Sequence, residues 1–382
     1  ALPGVWVERS KRRIRDETGL SPGKVMIACT HIHTGPCTTS IFSSKADEDY
    51  LSRLPGLIAG CVAGAHDAMR PASVRTVRGS DASLVFNRRF RMKDGSVRTN
   101  PGVRNPGVIE PAGPVDPEIV AMWIRDARDK VLGCVFNYSN HVDVMGGTMI
   151  SPDYPGMLAG LFRKRFGDSS NLVYLNGACG DVNHINIRGL PGQAGPTQSR
   201  MMASVLFRDL LGMAGKEGGW SQPDVGGLAK KVRLPARRVL RADLERARTI
   251  LGAGKGSEAD AVFAREALSL SRDSRRFLDT TVQAINIGGT VFVGIPGELF
   301  VEIGLMVKVG SPFDYSAVAE LANDYVGYLP TDKAFREGGY ETTLARSSRV
   351  GPGTESILVG AALGLARRLH RSRQTRGVRR GS

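Results

Sequence analysis

Cysteine, histidine and aromatic residues are scarce in this sequence, and no apolar run is long. The five cysteines (Cys29, Cys37, Cys61, Cys134, Cys179) have neither zinc-finger spacing nor the even count of a disulfide framework. That excludes a small cysteine-stapled domain. Three of them lie in apolar runs, where a free thiol behaves as a small hydrophobe. No stretch reaches the ~18 uninterrupted apolar residues of a membrane span. The most apolar region, 282–310, is broken by Gly288-Gly289 and Pro296-Gly297-Glu298. There is no signal-peptide pattern, and the first residue is Ala rather than Met. The chain thus reads as a processed or truncated form whose compartment is not legible.

What is present suits an ordinary globular protein of 382 residues, with 41% hydrophobic and 23% charged residues. The expectation is one large α/β domain over 1–372, with mixed β-sheets flanked by helices, and a basic, disordered tail over 373–382. Net charge is +15, which raises nucleic acid as a partner. The charge is scattered, however, apart from 367–380, and that run reads as a solvated extension. No nucleic-acid partner is expected, and nothing supports a membrane surface.

Along the chain, helical patterns cover 5–17, 48–69, 157–166, 198–214, 241–251, 258–270, 299–307 and 355–370. Pro55 should kink or restart the second of these. The charged pair at 241–251 and 258–270, joined by a Gly-rich turn, reads as solvent-facing cover. Residues 119–138 and 280–295 read as hairpins, the second turning at adjacent glycines that supply positive φ. Shorter strands are expected at 25–29, 74–77, 83–86, 172–175, 228–234 and 316–321. Residues 94–117, rich in Gly, Pro and Asn, read as a long loop, which in a compact domain is usually functional or mobile. No repeat of fixed period is visible.

Chemistry concentrates at the ends of these β-like runs. After 25–29 comes Thr30-His31-Ile32-His33-Thr34-Gly35-Pro36, which holds two of only six histidines. On an extended segment residues i and i+2 point the same way, so a strand end with two imidazoles can start a metal site. The spacing does not say which of the two binds. His141 ends another run, and Arg88, Asp181, Glu298 and Tyr328 end others. In α/β folds such ends converge on ligands. Two histidines and one glutamate make a usual catalytic zinc set with a position left open. Zinc would bring the pKa of a bound water towards ~7. Eight βα units cannot be counted, which argues against a TIM barrel.

These blocks together resemble the neutral/alkaline (non-lysosomal) ceramidase family, zinc-dependent amidases that cleave the N-acyl bond of ceramide. Residues 30–36 resemble its T-H-T-H-S-G-P, and Asn87-Arg88-Arg89 its N-R-S. Asn140-His141 lies where the family has its second histidine ligand. Pro296-Gly297-Glu298 resembles P-x-E-F. Asn323 to Tyr328, with Tyr340-Glu341 twelve residues on, resembles N-D-Y-x-x-Y…Y-E-G. The blocks keep the family's order from Thr30 to Glu341. The resemblance implies zinc on His31, His141, Glu298 and Tyr328, with His33, Arg88 and Tyr340 lining the substrate site.

The sequence departs from the family in two places. Asn183 in Gly180-Asp181-Val182-Asn183-His184 stands where the family's Gly-Asp-Val-Ser-Pro-Asn has a serine. An amide is no nucleophile, so a metal-activated water is the expected attacker, with Asn183 donating to a polarised carbonyl. The family's leading segment and C-terminal β-sandwich domain are also missing from this stretch. The function expected is hydrolysis of an amide (N-acyl) bond, with His33 or Asp181 managing the proton and Arg88 or Arg89 anchoring substrate. An esterase or lactonase on the same centre, or a zinc-retaining binding protein, is the alternative. Residues 94–117 and 188–197 offer little apolar lining, so a smaller, more polar N-acyl substrate is expected.

Overall fold

The computed structural model describes residues 1–215, 219–253 and 257–380; the turn expected between the two charged helices falls largely outside them. The chain opens with helices α1 (Gly4–Thr18) and α2 (Glu48–Asp67), packed on each other through Val7, Ile14, Leu51 and Ala59. Asp47 caps α2 by accepting from the Tyr50 N–H. The helix continues through Pro55 rather than restarting there. Next come strands β1 (Ala72–Ser80), β2 (Phe86–Asn87), β3 (Arg89–Met92), β4 (Val97–Thr99), β5 (Val108–Pro111), β6 (Glu118–Asp126) and β7 (Val131–Tyr138). Helix α3 (Asp153–Phe166), β8 (Asn171–Asn176), β9 (Val182–Asn183) and α4 (Pro196–Ala214) complete the first half.

The second half runs β10 (Val225–Pro235), α5 (Arg241–Ala253), α6 (Glu258–Leu270), β11 (Phe277–Ile287) and β12 (Thr290–Gly294). After these come β13 (Glu298–Leu299), α7 (Val301–Gly310), β14 (Tyr315–Ala319), β15 (Tyr328–Leu329), α8 (Asp332–Glu337) and α9 (Thr354–Arg380).

Two four-stranded mixed sheets organise the molecule, ordered β1-β6-β7-β8 and β10-β11-β12-β14. They share one plan. Three strands pair antiparallel, and the fourth joins parallel after a helical crossover, α3 in the first sheet and α7 in the second. The sequence shows no repeat because only the backbone plan is shared.

Strand alternation explains how the sheets stack. In β6, Ile119, Ala121 and Trp123 point to the side that packs with Leu158 and Phe162 of α3 and Leu206 and Leu210 of α4. The alternate residues Val120 and Met122 join Phe292 and Ala317 of the other sheet. In β12, Val291 and Val293 face the layer that holds Leu358, Leu365 and Leu369 of α9. The result is four layers, helix, sheet, sheet, helix. The central strands β6 and β12 are buried on both faces and read as continuous apolar runs, whereas the edge strands β1 and β10 carry charged residues.

Three expectations are corrected. Residues 94–117 are not one loop: β4 and β5 flank β3 in a small antiparallel sheet. The 25–29 run makes a single bridge, Ala28 to Ala322, not a strand. Glu298 does not open a helix; it lies in β13, parallel to β15, and α7 begins at Val301.

Phe292 fills the layer between the sheets, so Phe292→Ala should cost about 3–5 kcal/mol of stability. Urea denaturation measures this, and a loss under ~1 kcal/mol would mean the sheets are not packed through it.

Candidate metal centre

Three imidazoles meet where the strands end. His31 Nε2 is 2.8 Å from His141 Nε2 and 3.3 Å from His33 Nε2. One ligand atom from each of the three falls within 4.8 Å of the others, so the group could hold a metal ion. His31 and His33 converge without being on a strand. The backbone at His31 is left-handed, φ 67°, a costly state for a residue with a Cβ, and one that clusters at functional sites. His141 follows β7, is buried, and is oriented by Nδ1 3.1 Å from the Cys179 carbonyl. That contact leaves Nε2 as the nitrogen turned to the cluster, a usual outer-shell arrangement for a ligating histidine.

Glu298 closes the floor. Its Oε1 accepts from the Tyr325 hydroxyl at 2.9 Å. Its Oε2 is buried without a hydrogen-bond partner and lies 3.5 Å from His31 Nε2, with Tyr328 also beside the carboxyl. Burial alone would raise its pKa, but His31 and then His141 outweigh burial and hold the carboxyl well below the usual range. His33 is exposed along one edge yet crowded; burial and then His31 push it down to about 4. His141 is held well below its ordinary value, chiefly by burial. Neutral His33 and His141 rings beside an ionised Glu298 carboxylate are the protonation states that a cation requires. The residues therefore fit a metal such as zinc.

Tyr328 faces Glu298 across the β13–β15 pair, in register. Its hydroxyl accepts from Arg88 Nη2 at 3.0 Å, and burial, with Glu298 adding, keeps the phenol well above its ordinary pKa. Arg88 also donates to the Gly180 carbonyl (2.8 Å) and to Glu341 (2.9 Å), leaving Nη1 directed at His141 Nε2, 3.5 Å away. Arg89, expected as a possible substrate anchor, is instead buried against Glu341 and the Gly338 carbonyl.

Asp181 and Asn183 are brought near the centre but bonded elsewhere. Asp181 caps α7 by accepting from the Val301 N–H at 2.8 Å, and its other oxygen accepts from Asn87. Burial raises its pKa to about 6. Asn183 donates to Asn100 and accepts from the Ile185 N–H, so its amide already has work within the loop.

His31, His33, Glu298, Tyr325, Tyr328 and Tyr340 line a cleft of about 450 Å³ with Ile32, Ile41 and Phe42. Ile41 and Phe42 in this lining come from a segment to which the sequence reading gave no role, and Phe42 is backed by an aromatic contact outside the cleft. Phe42, Phe263 of α6 and the half-exposed Tyr340 form one aromatic group, with ring centroids 5.8 to 6.5 Å apart. Helix α6 is thus more than cover. Its buried Glu266 accepts from the Phe42 N–H and pairs with Arg346, tying the Phe42 loop to the body. Tyr325 and Glu341 were within reach of the sequence, inside motif blocks already singled out. Phe42 and Phe263 carried no such signal.

No protein-family model and no curated protein matches the chain. Solved structures do. One is neutral ceramidase from Pseudomonas aeruginosa, at 17% identity and TM-score 0.70, over 96% of this chain and 65% of that one. Another is a ceramidase complexed with C2, at 16% identity and TM-score 0.69, over 96% and 66%. The chain therefore has the neutral ceramidase fold, in a divergent form, and spans about two thirds of the length of those proteins.

Glu341 is fully buried between Arg88 and Arg89 and also accepts from Thr99. Glu341→Ala would leave the buried Arg88 without a carboxylate partner and Arg89 with only the longer pair to Glu337, a loss of about 3–5 kcal/mol. Chemical denaturation checks this; a change under ~1 kcal/mol would show that water reaches the pair.

Proposed function

We propose that the chain is a zinc-dependent hydrolase of an amide (N-acyl) bond. The observation that supports this most is the meeting of three imidazole Nε2 atoms with the donor-less Glu298 Oε2 at the floor of a cleft. The ceramidase fold agrees with it. His31, His141 and Glu298 would hold the ion, with Tyr328 beside them. When bound, zinc supplies Lewis acidity and lowers the pKa of a water towards ~7.

The chain's own residues do the rest. The Tyr325 hydroxyl fixes the Glu298 carboxylate, and the Cys179 carbonyl fixes the His141 ring. His33, at the open edge, takes the proton of the attacking water at Nε2 and returns it to the leaving nitrogen. Asp181 is less suited to that work, being bonded to Val301 and Asn87. With no serine at 183, a burst of acyl-enzyme is not expected. Arg88 acts through Tyr328 and its remaining Nη1 rather than as a free anchor.

The structures in comparison include a ceramidase complexed with C2. For this chain we favour a small N-acyl compound whose acyl part lies on Phe42 and Tyr340. A cleft of about 450 Å³ suits a ligand of that size.

Purified protein should carry about one zinc, and chelation should abolish hydrolysis of N-acyl amides until zinc is restored. His141→Ala and Glu298→Ala should each weaken zinc binding by at least the ~10–100-fold that losing an outer-shell partner costs. Full occupancy and turnover in either variant would remove that residue from the centre. Hydrolysis that survives chelation would sink the proposal. Faster turnover of matched esters would favour the esterase alternative, and zinc uptake with no turnover of either would favour a binding protein.

A further inference from the structure

Glu320 lies outside the cleft, at the end of β14, and is fully buried. Its Oε2 accepts from two backbone N–H groups, Cys179 and Leu299, each at 3.0 Å. Its Oε1 meets Cys179 Sγ at 3.0 Å and Asn176 Nδ2 at 3.4 Å. All four partners are neutral. A buried carboxyl held only by neutral groups is costly. Its use here is explained by which segments it joins.

Cys179 is the residue whose carbonyl meets His141 Nδ1 at 3.1 Å. Leu299 directly follows Glu298, and its carbonyl accepts from the Gly180 N–H at 2.7 Å. One carboxyl oxygen therefore joins the segment that orients one imidazole to the strand that carries the facing carboxylate. The backbone around Glu320 is shaped for this. Leu321 and Asn323 are left-handed, φ 50° and 68°, a state that bulky Leu seldom adopts. The turn is pinned by Glu320 N to Asn176 O (3.0 Å), Leu321 N to Gly297 O (3.1 Å) and Cys29 N to Leu321 O (3.2 Å). It thus ties together the chain leading to His31, the end of β8 and the approach to Glu298.

We propose that Glu320 is the positioning residue of the centre, its Oε2 being the shared acceptor that sets the Cys179 carbonyl against the Glu298 strand. The proposal rests on the metal reading above for its function, but the clamp itself belongs to the metal-free chain.

The test compares Glu320→Ala, Glu320→Asp and Glu320→Gln. Glutamine keeps a carbonyl oxygen for both N–H groups and should stay close to the original protein. Alanine should weaken zinc affinity about 10–100-fold, as loss of an outer-shell partner does. Hydrogen exchange on the metal-free protein should show the Cys179 and Leu299 amides losing protection together. If the alanine variant does not fold, the aspartate variant, which draws the carboxyl back by one methylene, should show the same paired loss. A lowered melting temperature with zinc affinity and both amides unchanged would overturn the proposal, since a merely structural carboxyl would behave that way. If the original protein takes up no zinc, the metal reading falls, and exchange at the two amides alone decides the clamp.

Discussion

The cleft depends on holding three imidazole nitrogens within contact of one another. His31 and His141 Nε2 atoms 2.8 Å apart cannot both carry protons, and His33 Nε2 adds a third at 3.3 Å. Burial, and after it the neighbouring rings, disfavours charge on His33 and on His141. Glu298 is the counterweight, an ionised carboxylate with one oxygen held by Tyr325 and the other open. Such an arrangement is unfavourable by itself. It persists because the backbone carrying each member is fixed from outside the cleft.

That outer frame follows from the shared plan of the two sheets. The third strand of one ends just before His141, and the third strand of the other ends just before Glu298. The fourth strands, β8 and β14, meet through the bond from Glu320 N to Asn176 O. Stacking the sheets face to face therefore brings an imidazole and a carboxylate to the same edge. The buried Arg88–Glu341–Arg89 group closes the side next to Tyr328.

Much of this was legible in the sequence, and the reasons for the rest are physical. Apolar periodicity marked both hairpins and most helices, and the strand ends were readable as chemistry-bearing loops. The pairing of His31 with His33 was readable too, although a left-handed turn at His31, not an extended strand, brings the rings together. Roles that depend on distant partners were not legible. Asp181 meets Val301, Asn183 meets Asn100, and Arg89 meets Glu341; nothing local in those side chains announces such bonds. The two strands within 94–117 were hidden because the Gly, Pro and Asn residues there outweigh them. The aromatic wall escaped because Phe42 and Phe263 meet only in the folded chain.

The most direct measurement of the central claim is anomalous diffraction at the zinc edge from crystals grown with stoichiometric zinc. The account predicts one strong peak within bonding distance, ~2.0–2.2 Å, of His31 Nε2, His141 Nε2 and a Glu298 oxygen. A peak bonded to the histidines but not to Glu298 would contradict the ligand set, and no peak at the cleft in zinc-replete crystals would contradict the metal centre itself.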